Sequence, residues 1–216
     1  MENFFFPIVD FKVDAQRLLT EFDKFVKPEY DTTLCYCLTT KEEFINDLDY
    51  DFRKFYGKLT PPGPGIKLIS GDYDYQIVHW PKILEGSYIQ EVANLCSDVL
   101  GLSNPRVRCS VVNGKDEQHN IGFHTDQHAV SRIHIALKTT NECVWHFMKG
   151  DDIVKIHQPV DGIPMFVDTG RTPHDIWVPT GIRRIHIWFQ YHNYVDEDRL
   201  AALQNKARHD NYSNEF

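Results

Sequence analysis

Three segments in the second half of the chain alternate polar and apolar residues with period two, and they leave little choice but strands in a sheet with two unlike faces. In the first, Arg106, Arg108 and Ser110 share one side while Val107, Cys109 and Val111 share the other. Its polar side either lines an internal cavity or meets solvent. The second runs Arg132-Ile133-His134-Ile135-Ala136-Leu137-Lys138. With Ile133, Ile135 and Leu137 packed on a helical layer, Arg132 and His134 turn the other way. The third, Ile182 to Phe189, is rich in β-branched and aromatic residues. Period two sends its adjacent Arg183 and Arg184 to opposite faces, Arg184 together with His186.

Between the first and third segments lie the residues best suited to bind a metal. In an extended His124-Thr125-Asp126, residues i and i+2 point the same way, so one imidazole and one carboxylate reach a single ion. A bare H-x-D triplet is weak among 11 His and 31 acidic residues, since about one is expected by chance and a surface His beside a solvated Asp is the commoner explanation. A second imidazole strengthens it. His174 follows fifty residues later, expected on a turn after a strand, with Arg184 ten residues beyond on another strand. Two His and one carboxylate form the facial donor set of non-haem Fe(II) sites, which leaves the opposite face of the ion open.

The words around these residues resemble the 2-oxoglutarate- and Fe(II)-dependent oxygenases, in particular the aspartyl/asparaginyl β-hydroxylase branch. They are Ser110-Val111-Val112-Asn113-Gly114, His124-Thr125, Arg132-Ile133-His134, Phe166-Val167-Asp168, Pro173-His174-Asp175-Ile176-Trp177 and Arg184, spanning about 80 residues. The resemblance implies that His124 and His174 bind the metal. It also implies that Arg184 holds the distal carboxylate of 2-oxoglutarate, with Ser110, Arg132 and His134 as further cosubstrate contacts. It differs at one place: the animal aspartyl hydroxylases have a glycine where this chain has Asp126. The carboxylate completes a triad here, and it argues against the related halogenases, in which a small residue leaves room for halide.

Composition limits the partners. A chain of 216 residues and 25.3 kDa is expected to form one oxygenase domain over 1–216, with a mixed support region over 1–105, a barrel core over 106–194 and a helical tail over 195–216. The net charge of -8 disfavours a general nucleic-acid or anionic-membrane surface. The five cysteines, Cys35, Cys37, Cys96, Cys109 and Cys143, include no C-x-x-C pair, and Cys35-x-Cys37 reads as two buried small residues on one strand face. The start, Met1 to Pro7, has no basic region and only a short apolar run. A reducing, cytoplasmic location is expected.

Along the first half, Asp14 is placed to cap a helix with Ala15, Leu18, Leu19, Phe22, Phe25 and Val26 on one stripe, ending before Pro28. Residues 32–38 suggest a strand. Thr40 with Glu43 suggests a capping box opening a short helix through Phe44, Ile45 and Leu48. Pro61-Pro62-Gly63-Pro64-Gly65 marks 57–66 as loop, and Tyr73, Tyr75, His79 and Trp80 read as packing or as cleft lining. Ser87 and Gln90 open a second helix, striped by Ile89, Val92, Ala93, Cys96, Val99 and Leu100 and stopped at Gly101. Asn113-Gly114 reads as a turn before a flexible polar run over 115–120. Residues 143–148, 153–157 and 163–168 supply further strands, with turns at Gly150-Asp151-Asp152 and Asp161-Gly162, and Asp196 caps a tail helix that frays after His209.

Short strands at regular spacing with a few buttressing helices point to a double-stranded β-helix, the jelly-roll or cupin-like barrel. With the resemblance, the expected activity is that of a dioxygenase, a hydroxylase that consumes 2-oxoglutarate and dioxygen and releases succinate and CO2. Its target would be an unactivated C–H bond of an aspartyl or asparaginyl residue or of a small amino-acid-like molecule. Arg106, Arg108 and Arg171 are candidate contacts for an acidic substrate. Two other readings are weighed: a non-catalytic cupin-like metal-binding or sensing protein, which a chain lacking Arg184 would favour, and a nucleic-acid demethylase, which the charge balance disfavours.

Overall fold

A computed structural model describes residues 4–30, 33–53, 76–114, 119–120, 122–126 and 131–209. Among them, ten strands form two antiparallel sheets. The larger sheet orders β1 (Phe5–Pro7), β8 (Met165–Val167), β5 (Ser131–Lys138), β10 (Arg183–Tyr191), β3 (Arg106–Asn113) and β2 (Leu34–Cys37). The smaller orders β4 (His119–Asn120), β9 (His174–Val178), β6 (Val144–Lys149) and β7 (Asp152–Ile156). Pro7, which has no amide hydrogen to donate, lies on β1 at the edge of the larger sheet.

The two faces of the larger sheet divide as the alternation predicts. Val107, Cys109, Val111, Ile133, Ile135, Leu137, Ile185, Ile187 and Phe189 join one apolar core with Leu18, Phe22, Ile89, Val92 and Cys96 of α1 (Ala15–Val26) and α2 (Tyr88–Leu100). Burying each large side chain contributes roughly 1.5–3 kcal/mol, so this outer layer carries much of the fold's stability. The inner face faces the smaller sheet. Phe5, Met165 and Val167 pack there against Trp145, Phe147 and Ile156, and Val112 packs against Cys143 and Val178.

Strand register brings polar side chains into rows on that inner face. Gln190 stands between Arg106 of β3 and Arg132 of β5, Trp188 between Arg108 and His134, and His186 between Ser110 and Ala136. All of these polar groups are buried, and Arg106 and Arg108 are 2% and 5% exposed, which removes the solvated alternative for them.

Local signals set the helices. Asp14 Oδ1 accepts from the Arg17 amide at 2.9 Å, and Ser87 Oγ accepts from the Gln90 amide at 3.2 Å. Gly101 ends α2 in the left-handed region at φ 67°, where only glycine is unstrained. Asp196 Oδ1 accepts from the amides of Asp198 and Arg199 and opens α3 (Glu197–His209).

Three expectations are corrected. Thr40 enters a bridge with His79 instead of capping a helix, and the turn that follows is a 3-10 helix over Glu42–Phe44 without a side-chain cap. Gly114 does not turn: its amide donates to Ile182 O at 2.9 Å and its carbonyl accepts from Gly181 N at 2.6 Å, extending the alignment of β3 and β10. His174 begins a strand. The expected loop at 57–66, Tyr73 and Tyr75, residues 115–118 and the tail beyond His209 lie outside the described residues. The five cysteines are free and buried, and no helix among the described residues is long and apolar enough to cross a membrane.

Candidate metal centre

His124 and His174 come together through the backbone. Each amide donates to the other's carbonyl, at 3.0 and 2.9 Å, in an isolated antiparallel bridge that joins the chain after β4 to the start of β9. The ring centroids are 4.5 Å apart. Asp126, two residues on, is fixed by its amide donating to Thr169 O at 2.9 Å. Its carboxylate lies 3.9 Å from His124 Nε2 and 3.5 Å from His174 Nε2. One donor atom from each of the three side chains can be chosen so that all lie within 4.8 Å of one another. This is the group the sequence singles out.

The other ring nitrogens are engaged behind the site. His124 Nδ1 donates to Gly122 O at 2.8 Å and His174 Nδ1 to Thr172 O at 3.2 Å, which places the free lone pair on Nε2 in both rings. Burial pushes His174 down to about 4, with His124 and Arg132 adding and Asp126 opposing, so at neutral pH it is an uncharged ligand. Burial on its own would raise the Asp126 carboxyl. Arg132, His174 and His124, with a smaller contribution from the Thr169 side chain, outweigh it and hold the group below its ordinary value. Two imidazoles and one carboxylate suit a divalent transition metal such as Fe(II).

A second group lies on the inner face of the larger sheet. Arg184 is 2% exposed, and its guanidinium carbon stands 5.1 Å from the centre of the Trp145 ring. Burial pushes it down to about 9, so it remains cationic at neutral pH. Its Nη2 lies 3.0 Å from His186 Nδ1. His134 stacks on Trp188 with centroids 5.5 Å apart and meets Trp145 edge-on at 4.9 Å, and neither of its ring nitrogens has a hydrogen-bond partner among the described residues. Burial, with Arg132, Arg184 and His174, holds His134 neutral, well below the ordinary histidine value. A buried cation among unsatisfied donors is costly for folding alone and fits an organic acid. Ser110 lies opposite His186 in the ladder on the same face.

Arg132 links the two groups: Nη1 is 2.7 Å from Asp126 Oδ2 and Nη2 donates to Gln190 Oε1 at 3.3 Å. Arg108 donates to the same Gln190 oxygen at 2.9 Å, and Arg106 reaches Cys37 Sγ at 3.5 Å. Arg171 stands elsewhere, at the surface, paired with Asp168 and over the Tyr194 ring. Arg183 faces away from the inner group, over the Tyr30 ring at 4.9 Å.

Sequence reasoning did not single out Gln190, Trp145 or Thr169. Gln190 continues the period-two series Arg184, His186, Trp188, a signal already present in the chain. Trp145 arrives from the other sheet, and no local pattern places it.

No family model and no curated protein matches the chain. Solved structures to which it is similar include 2-oxoglutarate-Fe(II) oxygenases. A prolyl hydroxylase from Trichoplax adhaerens, in complex with a peptide fragment of the hypoxia inducible factor oxygen degradation domain, aligns over 93% of this chain and 87% of its own at 17% identity and TM-score 0.45. An oxidoreductase of the 2OG-Fe(II) oxygenase family from Burkholderia pseudomallei aligns over 56% of this chain at 14% identity and TM-score 0.40. A prolyl-4-hydroxylase from Pseudomonas putida aligns over 50% at 12% identity and TM-score 0.39. The chain spans 62% and 64% of the lengths of the latter two. At such scores the likeness is loose, and the chemistry rests on this chain's own residues.

Proposed function

We propose that the protein is an Fe(II)- and 2-oxoglutarate-dependent dioxygenase whose two sheets are the halves of a double-stranded β-helix. The observation that carries this reading is the convergence of His124, Asp126 and His174 within 4.8 Å, with both imidazoles oriented by backbone carbonyls. In this reading those three hold the metal. Arg184 neutralises one carboxylate of the cosubstrate, and His134 and Ser110 supply further contacts. Arg132 fixes Asp126 and adjoins the same acid. Arg106 and Arg108 are assigned to an acidic substrate, an aspartyl or asparaginyl residue or a small amino-acid-like molecule, as in the hydroxylase branch this chain resembles. Iron and 2-oxoglutarate, when bound, supply the oxidant for hydroxylation of a C–H bond at the expense of dioxygen, with succinate and CO2 released.

The protein's own task is positional. The inner face is lined by Trp145, Phe147 and Trp188, which limit water around the polar groups, and the sheet register fixes Arg184 on the same face as His134. Succinate release, measured across a panel of amino acids and acidic peptides, tests the reading. Chelation is expected to abolish release, Fe(II) to restore it, and Zn or Ni to occupy the site without turnover. Metal binding with no succinate under any condition would indicate the non-catalytic cupin-like alternative.

A further inference from the structure

His186 has no part in the resemblance, yet it occupies the centre of the inner face. It is 1% exposed, lies between Ser110 and Ala136 in the sheet, and touches Arg184 through Nδ1 at 3.0 Å. A guanidinium has only donors, so His186 Nδ1 must be the acceptor and the ring proton must be on Nε2. That Nε2–H is buried and has no acceptor among the described residues. Trp145 Nε1 and Trp188 Nε1, which also can only donate, are likewise without acceptors. His134 links these groups, with ring centroids 6.5 Å from His186, 4.9 Å from Trp145 and 5.5 Å from Trp188. The cluster therefore offers one cation and several neutral donors. Such a set suits a ligand made of acceptor oxygens and opposes an amine or a metal ion.

We propose that His186, fixed as its Nε2–H tautomer by Arg184, donates a hydrogen bond to the organic acid that Arg184 neutralises and thereby selects a carboxylate in this pocket. The identity of that acid as 2-oxoglutarate rests on the oxygenase reading; the donor role of His186 does not. Its neutral state agrees with burial and with the neighbouring charge of Arg184, both of which oppose a second proton on the ring. A neutral donor beside a cation gives direction without adding to the buried charge.

Calorimetric titration of the metal-free protein with 2-oxoglutarate and with succinate tests the proposal, because both acids carry carboxylates and succinate lacks the keto group a metal would engage. His186→Leu is expected to weaken both acids by about tenfold to a hundredfold, and His186→Gln, which keeps an N–H donor, to stay within about threefold of the wild type. In 15N spectra of histidine-labelled wild type, His186 is expected as the neutral Nε2–H form, with Nε2 shifting when either acid is added. An Nδ1–H tautomer, or wild-type affinity in His186→Leu, would overturn the proposal. If His186→Leu binds normally while Arg184→Gln does not, only the role of His186 falls. If succinate binds in a His186-dependent way and 2-oxoglutarate does not bind, the oxygenase reading falls and the donor role stands. If the wild type binds neither acid without metal, the donor role of His186 falls, and the oxygenase reading, in which the keto group engages the metal, stands or falls on succinate release.

Discussion

At the scale of single residues, neighbours that look alike in the sequence have different surroundings. Arg183 and Arg184 are adjacent, but Arg184 is buried beside His186 and Trp145 while Arg183 lies over Tyr30 on the other side. Losing the charge-assisted fork at Arg184 should cost roughly 2 to 4 kcal/mol, a thirtyfold to thousandfold weakening of 2-oxoglutarate binding. Arg184→Gln is expected to show that loss, Arg184→Lys an intermediate one because it keeps charge without the planar fork, and Arg183→Gln almost none. Cosubstrate titration checks all three, and a sensitive Arg183 beside an insensitive Arg184 would contradict the assignment. His124→Ala and His174→Ala should each abolish metal-dependent turnover while the circular dichroism stays native. Asp126→Gly should lose most of it; full activity there would mean two protein ligands suffice, as in the animal enzymes with glycine at this place. Which side each arginine takes was legible because period two is a purely local rule. That Arg132 spends one nitrogen on Asp126 and another on Gln190 was not, since it depends on which strands are neighbours.

At the scale of elements, the strands and the two main helices could be read because each carries its own periodicity and cap, as Asp14 and Ser87 show. Readings failed where tertiary pairing overrode a local signal. Thr40 has the spacing of a capping residue, yet its backbone is taken by His79 across a bridge, which removes the extended-to-helical transition a cap requires. Asn113-Gly114 has the composition of a turn, yet Gly114 is needed for closeness: a Cβ there would lie 2.1 Å from Pro179 O. Gly114→Ala must therefore displace the backbone before β10, and a destabilisation of about 2 kcal/mol or more is expected in urea unfolding, with weakened acid binding because Arg184 moves with the strand. Unchanged stability would show that this approach is easily relaxed. The pairing of His124 with His174 belongs to the same class of information: the sequence shows two histidines fifty residues apart, and only the bridge between them makes one site.

At the scale of the whole molecule, a sheet with an apolar outer face and a cationic inner face should leave a pH signature. Burial is the leading cause that holds His134, His174 and His186 below the ordinary histidine value. In the metal-free protein, the unfolded chain then takes up protons near pH 6.5 that the folded chain cannot. Stability is retained above that pH and lost as pH falls, by up to about 1.4 kcal/mol per pH unit for each group. Urea midpoints should drop between about pH 7 and pH 5, and His186→Gln should flatten the slope; equal midpoints at both pH values would contradict the buried, neutral state of these rings. The outer apolar layer tolerates this loss near neutrality, which is how a fold can keep polar groups inside for a ligand. The central claim, that the triad and Arg184 together serve iron and 2-oxoglutarate, is tested most directly by anaerobic titration of the protein with Fe(II) and 2-oxoglutarate followed by admission of oxygen. The account predicts a weak visible charge-transfer band that needs both components, is lost in His174→Ala, requires more 2-oxoglutarate in Arg184→Gln, and bleaches with oxygen as succinate forms. A wild-type protein that binds Fe(II) but gives neither band nor succinate would contradict it.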